Sequence, residues 1–132
     1  MFKLSAKSKK RLKGVHPDLA RVVERAIEIT PLDFGVSCGL RTEAEQYKAV
    51  KSGASTTMKS KHLAQVDTWG HAVDLFVLVN GEVTWEHKHF RKVVQAMFTA
   101  AIELNVQIES GALWRDFLDS PHFQLNGKYY DC

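Results

Sequence analysis

The sequence predicts an α+β domain in which a small, mainly antiparallel sheet is flanked by helices. Three observations predict it. Two segments, 17–29 and 86–104, repeat apolar residues at helical spacing with charges between them. Between them lie short apolar runs of strand length at 34–38 and 72–79. The second run leads straight into Asn80-Gly81, a pair that favours a tight turn between antiparallel strands. The chain has 132 residues, and one domain spanning 1–132 is expected. A chain of that length buries a core without disulfide support.

Each element has a local reason. Pro17 suits the first turn of a helix, and Leu19, Val22, Val23, Ala26 and Ile27 mark its buried side. Phe34 to Cys38 reads as a short strand, and Gly39-Leu40-Arg41 leads out of it. Thr42 and Glu45 have capping-box spacing, so a second helix opens there and ends near Gly53. Gly53 to Trp69 is polar and aperiodic and reads as a loop. Ala72 to Val79 reads as a largely buried strand, with Glu82-Val83-Thr84 returning after the hairpin turn. The long helix from about Glu86 to Leu104 buries Phe90, Val93, Val94, Met97, Phe98, Ala101 and Leu104. Val106 to Glu109 and His122 to Leu125 are the remaining strand candidates.

The net charge is a modest +3, unevenly placed. Lys3, Lys7, Lys9, Lys10, Arg11 and Lys13 all precede the first acid, Asp18. The run reads first as a solvated helix face; attraction to an anionic wall or membrane surface, and then to nucleic acid, are the alternatives. No apolar stretch is long and uninterrupted enough to span a bilayer, so no transmembrane segment is expected. No apolar region follows the basic start, which points away from a signal peptide and towards synthesis in a cytoplasm. Cys38 and Cys132 are the only cysteines. Cys38 reads as buried filler and Cys132 as an exposed thiol, so a metal would be held by His and Asp.

Two imidazoles and a carboxylate, His62, Asp74 and His122, form a candidate three-donor metal set, with Asp119 close by. Three protein ligands leave one position of a tetrahedral ion open, the arrangement of catalytic zinc. Each residue also has a plainer reading. A loop histidine such as His62 is commonly a solvated surface group. Asp74 lies among Ala72, Val73, Leu75, Phe76 and Val77, where a carboxylate needs a cation, a metal or several donors. A structural ion pair meets that need equally well. His122 enters an apolar strand after Pro121 and reads equally as a satisfied core histidine, and Asp119 as a turn residue. His71 competes for the metal, but strand alternation places it on the opposite face from Asp74. Arg41, at a strand end before a helix cap, is suited to binding a carboxylate or an oxyanion if partly buried. His16, His87 and His89 sit at helix starts and are poor ligand candidates.

The combined pattern resembles the LAS-type zinc peptidases: D-Ala-D-Ala carboxypeptidases and dipeptidases, and especially small phage L-alanyl-D-glutamate endopeptidases that act as endolysins. The resemblance runs from Leu12-Lys13-Gly14-Val15-His16-Pro17-Asp18-Leu19 through Gly39-Leu40-Arg41-Thr42, Gln46 and Gly53-Ala54-Ser55. It continues through Ser60-Lys61-His62-Leu63, Gly70-His71-Ala72-Val73-Asp74-Leu75 and Trp114 to Asp119-Ser120-Pro121-His122-Phe123-Gln124-Leu125.

That resemblance implies the LAS/Hedgehog-like metallopeptidase fold, with His62, Asp74 and His122 as zinc ligands. It implies Asp119 as the catalytic acid–base, Arg41 as substrate contact and stabiliser of negative charge, and Ser60 as a substrate-binding serine. The sequence departs from the pattern twice. Ala64-Gln65-Val66-Asp67-Thr68-Trp69 lengthens the link after His62, which leaves the position of His62 open and makes Trp69 a candidate cleft residue. Leu113 stands where relatives often carry Asp before Trp114.

The implied activity is zinc-dependent hydrolysis of the peptidoglycan stem peptide, at the L-Ala to D-Glu bond, by a monomer. The implied location is the host cytoplasm at synthesis and the cell wall after release. Rival readings are a D-Ala-D-Ala carboxypeptidase or dipeptidase, a non-catalytic zinc-containing wall-binding domain, and a nucleic-acid-binding protein. The last gives no reason for the His/Asp set, and no nucleic-acid partner is expected.

Overall fold

The computed structural model describes residues 1–55, 57–113 and 119–130. Trp114 and Cys132 lie outside them.

Among the described residues, four α-helices and five strands follow in the order α1 (Ala6–Arg11), α2 (Pro17–Ile29), β1 (Asp33–Cys38), α3 (Glu43–Lys51), β2 (Ala72–Val79), β3 (Glu82–Thr84), α4 (His87–Leu104), β4 (Ile108–Ser110) and β5 (His122–Leu125), with a 3-10 turn at Gly111–Leu113 after β4. This is the α+β arrangement the sequence predicts. All the strand pairs are antiparallel. The sheet order is β1-β2-β5-β4, with β3 also paired to β2. β1 runs along one edge of β2, so β5 and β3 share the other: β5 pairs residues 72–74 and β3 pairs 77–79.

The two faces of the sheet do different jobs. Along β2, Val73, Leu75 and Val77 are buried, while Asp74, Phe76 and Leu78 are only partly so. The first set joins Phe123 and Leu125 of β5 in one core with α2 and α4. α2 contributes Leu19, Val22, Val23, Ala26 and Ile27, as its periodicity predicts. α4 contributes Phe90, Val93, Val94, Met97 and Ala101, together with Ala96 and Ala100. Phe98 and Leu104, expected in that stripe, are only partly buried at its margin. Truncating a core aromatic such as Phe90 to alanine costs about 3–5 kcal/mol through lost transfer energy and the cavity left.

Local chemistry sets the ends. Thr42 Oγ1 accepts from the Glu45 amide while Glu45 accepts from the Thr42 amide, the capping box foreseen for α3. His16 takes the N-cap role for α2, its Nδ1 accepting from the Asp18 amide at 3.0 Å. Asn80 and Gly81 both have positive φ, as a tight hairpin turn requires. β4 begins later than the expected Val106. Asn105 ends α4 in the left-handed conformation, and the Val106 amide bonds back to Ala101, so that stretch finishes the helix first.

The basic N-terminal run is a helix, α1, laid against the free edge of β1. Buried Ser8 accepts from the Val36 amide through Oγ at 2.9 Å, and Arg11 Nη1 donates to Val36 O at 3.0 Å. Gly39 permits this, because a Cβ there would collide with Arg11 O. The register of β1 against β2 shifts between Val36 and Cys38: Val36 faces Leu75, and Cys38 already faces Asp74. That extra residue is a bulge, which re-aims the side chain following it.

The longer link after His62 closes on itself. Ala64 bridges Gly70, and Gln65 and Thr68 make the turn, with Thr68 at positive φ. The extra residues are thus looped out as a small hairpin whose ends, Ala64 and Gly70, lie side by side.

Candidate active site

Strand register assembles the centre of the cleft. Asp74 stands opposite Cys38 on one side and opposite His122 on the other. These three positions therefore face the same way, away from the apolar core. His62 arrives from the loop, pinned to the strand end: the Arg41 amide donates to His62 O at 2.8 Å, and the His62 amide is held by Ser60 Oγ at 3.1 Å.

Asp74 Oδ1 lies 3.3 Å from His62 Nε2 and 3.2 Å from His122 Nδ1. Both rings are fixed from behind. His62 Nδ1 is 2.8 Å from Gly39 O, and His122 Nε2 is 2.8 Å from Gln124 Oε1. The Gln124 amide in turn donates to Glu109 Oε2 at 3.2 Å, which orients its oxygen towards His122. Each rear nitrogen must carry its proton to satisfy a carbonyl oxygen. With a proton on its front nitrogen as well, a ring pairs directly with the Asp74 carboxylate; without it, the front nitrogen offers a lone pair that a metal cation can take.

Donors about 2.0–2.2 Å from a tetrahedral zinc are separated by roughly 3.3 Å. The two Asp74 distances match that spacing. The rear hydrogen bonds are the support that metal-binding histidines ordinarily have. A second donor set overlaps this one: Cys38, His62 and Asp74 offer atoms within 4.8 Å of one another and can bind a metal. Its sulfur lies 3.8 Å from His62 Nδ1, the nitrogen committed to Gly39 O, and it accepts from Arg41 Nε at 3.1 Å. The set completed by His122 leaves those hydrogen bonds intact.

The electrostatics follow from this crowding. Burial disfavours the charged His62 ring, but hydrogen bonds to Asp74 and Cys38 and their charges outweigh it and raise its pKa to about 9. Burial pushes Asp74 up, yet the two histidines hold it far below the ordinary carboxylate range. Asp119 moves the other way. Burial and then the Asp74 charge raise it, against the pull of His122, His62 and Arg41. A carboxyl raised in this way is suited to exchanging protons.

Asp119 is placed by β5 and by Gly111, which opens the short 3-10 turn just after β4. Its amide donates to Gly111 O at 2.9 Å, and its own carbonyl accepts from the His122 amide at 3.0 Å. A side chain at Gly111 would strike Asp119 O. Arg41 is held on three sides: by Cys38 Sγ, by Gln46 Oε1 at 3.0 Å, and by Asp74 Oδ2 at 3.5 Å. Arg41, Ser60, His62, Asp74, Asp119 and His122 all line one cleft of about 460 Å³.

The structure thus brings together every site residue singled out from the sequence, and it separates His71 from them. His71 Nε2 instead pairs with Asp67 Oδ2 at 2.7 Å. Trp69 is partly exposed and is not among the residues that line the cleft. Cys38 is not filler: the bulge turns it into the site, against Arg41 and His62. Gln46 and Gln124 had no role assigned from the sequence. Gln124 was findable, since two residues beyond His122 in a strand is the same face.

A sequence model of the phage L-alanyl-D-glutamate peptidase family matches residues 1–131. The chain belongs to that family. An L-alanyl-D-glutamate peptidase of Escherichia phage T5 is 34% identical over 134 residues, covering 98% of this chain and 88% of that one. One from Listeria phage A118 is 37% identical over 91 residues, 69% of this chain and 30% of that longer protein. The solved structure of the Serratia marcescens L-Ala D-Glu endopeptidase ChiX superimposes with a TM-score of 0.88 at 37% identity, covering 99% of this peptidase and 95% of ChiX. The family resemblance and the α+β fold expected from sequence both hold.

Proposed function

We propose that this peptidase hydrolyses the L-Ala to D-Glu bond in the stem peptide of bacterial peptidoglycan, using one zinc ion held by His62, Asp74 and His122. The observation that carries the reading is the convergence of both imidazoles on Asp74 Oδ1 beside Asp119 and Arg41 in a single cleft. The family and its named relatives supply the bond.

Zinc in that position supplies Lewis acidity and makes water a usable nucleophile near neutral pH. The chain's own groups do the rest. Asp119, with its raised pKa, takes the proton from the attacking water and returns it to the leaving amine of D-Glu. Arg41 faces the charge that develops on the scissile carbonyl oxygen, its guanidinium already oriented by Gln46 and Cys38. Ser60 lines the cleft and positions the substrate, while its hydroxyl steadies the His62 backbone.

The 1–132 chain acts as one domain and as a monomer in this reading. It is made in the host cytoplasm and meets its substrate after release. No helix among the described residues is long and apolar enough to cross a membrane. The test is mass spectrometry of products from purified peptidoglycan. New D-Glu amino termini with free L-Ala carboxyls support the reading. Released D-Ala would instead assign a carboxypeptidase, and zinc binding without any cleavage a wall-binding domain.

A further inference from the structure

Beside the catalytic cleft lies a second concavity of about 720 Å³, between α1 and α3. Lys10, Arg11, Lys13 and Lys48 line it, against one acid, Glu45. That acid is already engaged, accepting from the Thr42 amide at 2.9 Å in the capping box. Among the described residues, Lys10, Arg11, Lys13 and Lys48 take part in no ion pair, whereas Arg21, Arg25 and Arg41 all do. Helix α1 carries Lys10 and Arg11, with Lys13 in the turn just after it, and is fixed to the edge of the sheet by Ser8 and Arg11. The positive charge is therefore held in a defined groove rather than spread over a mobile tail. Arg41 lines both this groove and the catalytic cleft, so the two concavities meet at one guanidinium.

We propose that this groove is a docking surface for the acidic stem peptides of the wall, which are held there by their carboxylates while the neighbouring cleft cuts. The inference rests on the peptidoglycan reading given above. A D-Glu residue linked through its side-chain carboxyl keeps a free α-carboxylate, so each uncut stem peptide brings a negative charge and many of them together make the wall a flexible polyanion. A concave cationic groove suits such a strand better than it suits a flat bilayer. No aromatic side chain among the described residues lines the groove. It thus lacks the stacking platforms that single-stranded nucleic-acid sites use.

The test uses the whole chain with Lys10, Lys13 and Lys48 each changed to Gln. Arg11 is kept, because its guanidinium also anchors Val36 O. Co-sedimentation with purified sacculi is measured at low and high salt. The triple Lys→Gln protein binds about tenfold more weakly at low salt, the lower end of what electrostatic focusing contributes. The difference shrinks at high salt as the charges are screened. The Lys→Arg triple variant binds like the wild type. Sacculi whose carboxylates have been converted to amides hold the wild type no better than unmodified sacculi hold the Gln variant, an arm that decides the matter even if that variant folds poorly. Equal binding by the Gln variant overturns the proposal, as does undiminished binding of the wild type to amidated sacculi. Lysine-dependent retention on phosphatidylglycerol vesicles or linear DNA, with none on sacculi, also overturns it. Product analysis of the wild type, read separately, tells whether the wall-cutting reading itself has failed.

Discussion

Arg41 and Gln46 are joined by a 3.0 Å hydrogen bond inside the wall of the cleft, and the Gln46 side chain is fully buried. The Gln46 amide donates onward to Ser55 Oγ at 2.9 Å and to Thr57 O at 2.7 Å. One buried amide thus ties the arginine to the loop that forms the cleft's opposite lip. Gln46→Ala leaves these partners unsatisfied and should cost about 1–3 kcal/mol of stability. The larger effect should be on turnover: a misplaced positioning group costs on the order of 100-fold. Metal content should be unchanged. Kinetics on muropeptides, alongside metal analysis, check both halves, and near-normal turnover would show that Arg41 needs no such support.

Asp119→Asn keeps the shape but removes the proton acceptor. Peptidoglycan cleavage should fall by about 100-fold or more, the scale of general acid–base catalysis. Metal content and thermal unfolding should change little. Loss of the metal would make Asp119 a ligand in place of one of the three residues named.

The two overlapping donor sets give opposite outcomes on substitution. His62→Ala, Asp74→Ala and His122→Ala should each sharply reduce metal content measured by elemental analysis, while Cys38→Ser should retain one metal per chain. Full retention in His122→Ala with loss in Cys38→Ser would move the site to the Cys38, His62 and Asp74 set.

Much of this centre was legible before any coordinates. Asp74 in an apolar strand demanded a partner, and two-residue alternation set its face against His71. What could not be read was how the strands meet. Nothing in the sequence says that Cys38, Asp74 and His122 fall side by side, because antiparallel register is fixed by pairing between distant segments. The bulge that brings Cys38 against Arg41 and His62 has no compositional mark. Nor does the closure of residues 64–70 into a hairpin, which keeps His62 in reach despite the longer link.

Asp67, carried by that hairpin, should make stability sensitive to acid. Desolvation, the largest single influence, raises its carboxyl, but hydrogen bonds from His71 and the Trp69 amide, and the His71 and His16 charges, together outweigh it and hold it below the ordinary value of 3.8. Its contribution is therefore complete above that value and is lost as pH falls through the lower folded-state value. Asp67→Ala should unfold more readily than the wild type at pH 6, with the gap closing towards pH 2, in urea titrations across that range (round values bracketing a carboxylate's titration). A constant gap would mean that Asp67 acts only through packing.

Tyr130 gives an alkaline counterpart. Burial and its 2.9 Å hydrogen bond to Asp18 raise its phenol from 10.0 to about 12. The stabilisation is complete below the unfolded value and disappears as pH rises through the folded one. Tyr130→Phe should cost about 1 kcal/mol at neutral pH. It should also remove part of the wild type's loss of stability between those two values. An unchanged alkaline profile would show that the phenol's pKa is not coupled to folding.

The bulge between Val36 and Cys38 makes chain length at this point a matter of parity. Val36 points into the core, and a regular strand would send the residue two positions later the same way. The one extra residue exchanges inside for outside, so that Cys38 and the arginine beyond it emerge on the hydrolytic side. Deleting Ser37, the extra residue, would restore regular pairing with Cys38 still opposite Asp74, so the strand can lose a residue at this one position without turning Cys38 to the other face. A one-residue change elsewhere in β1 turns the positions beyond it to the other face unless a second change compensates, and the Asn80-Gly81 corner is likewise held to its length by the two positive-φ residues of its tight turn.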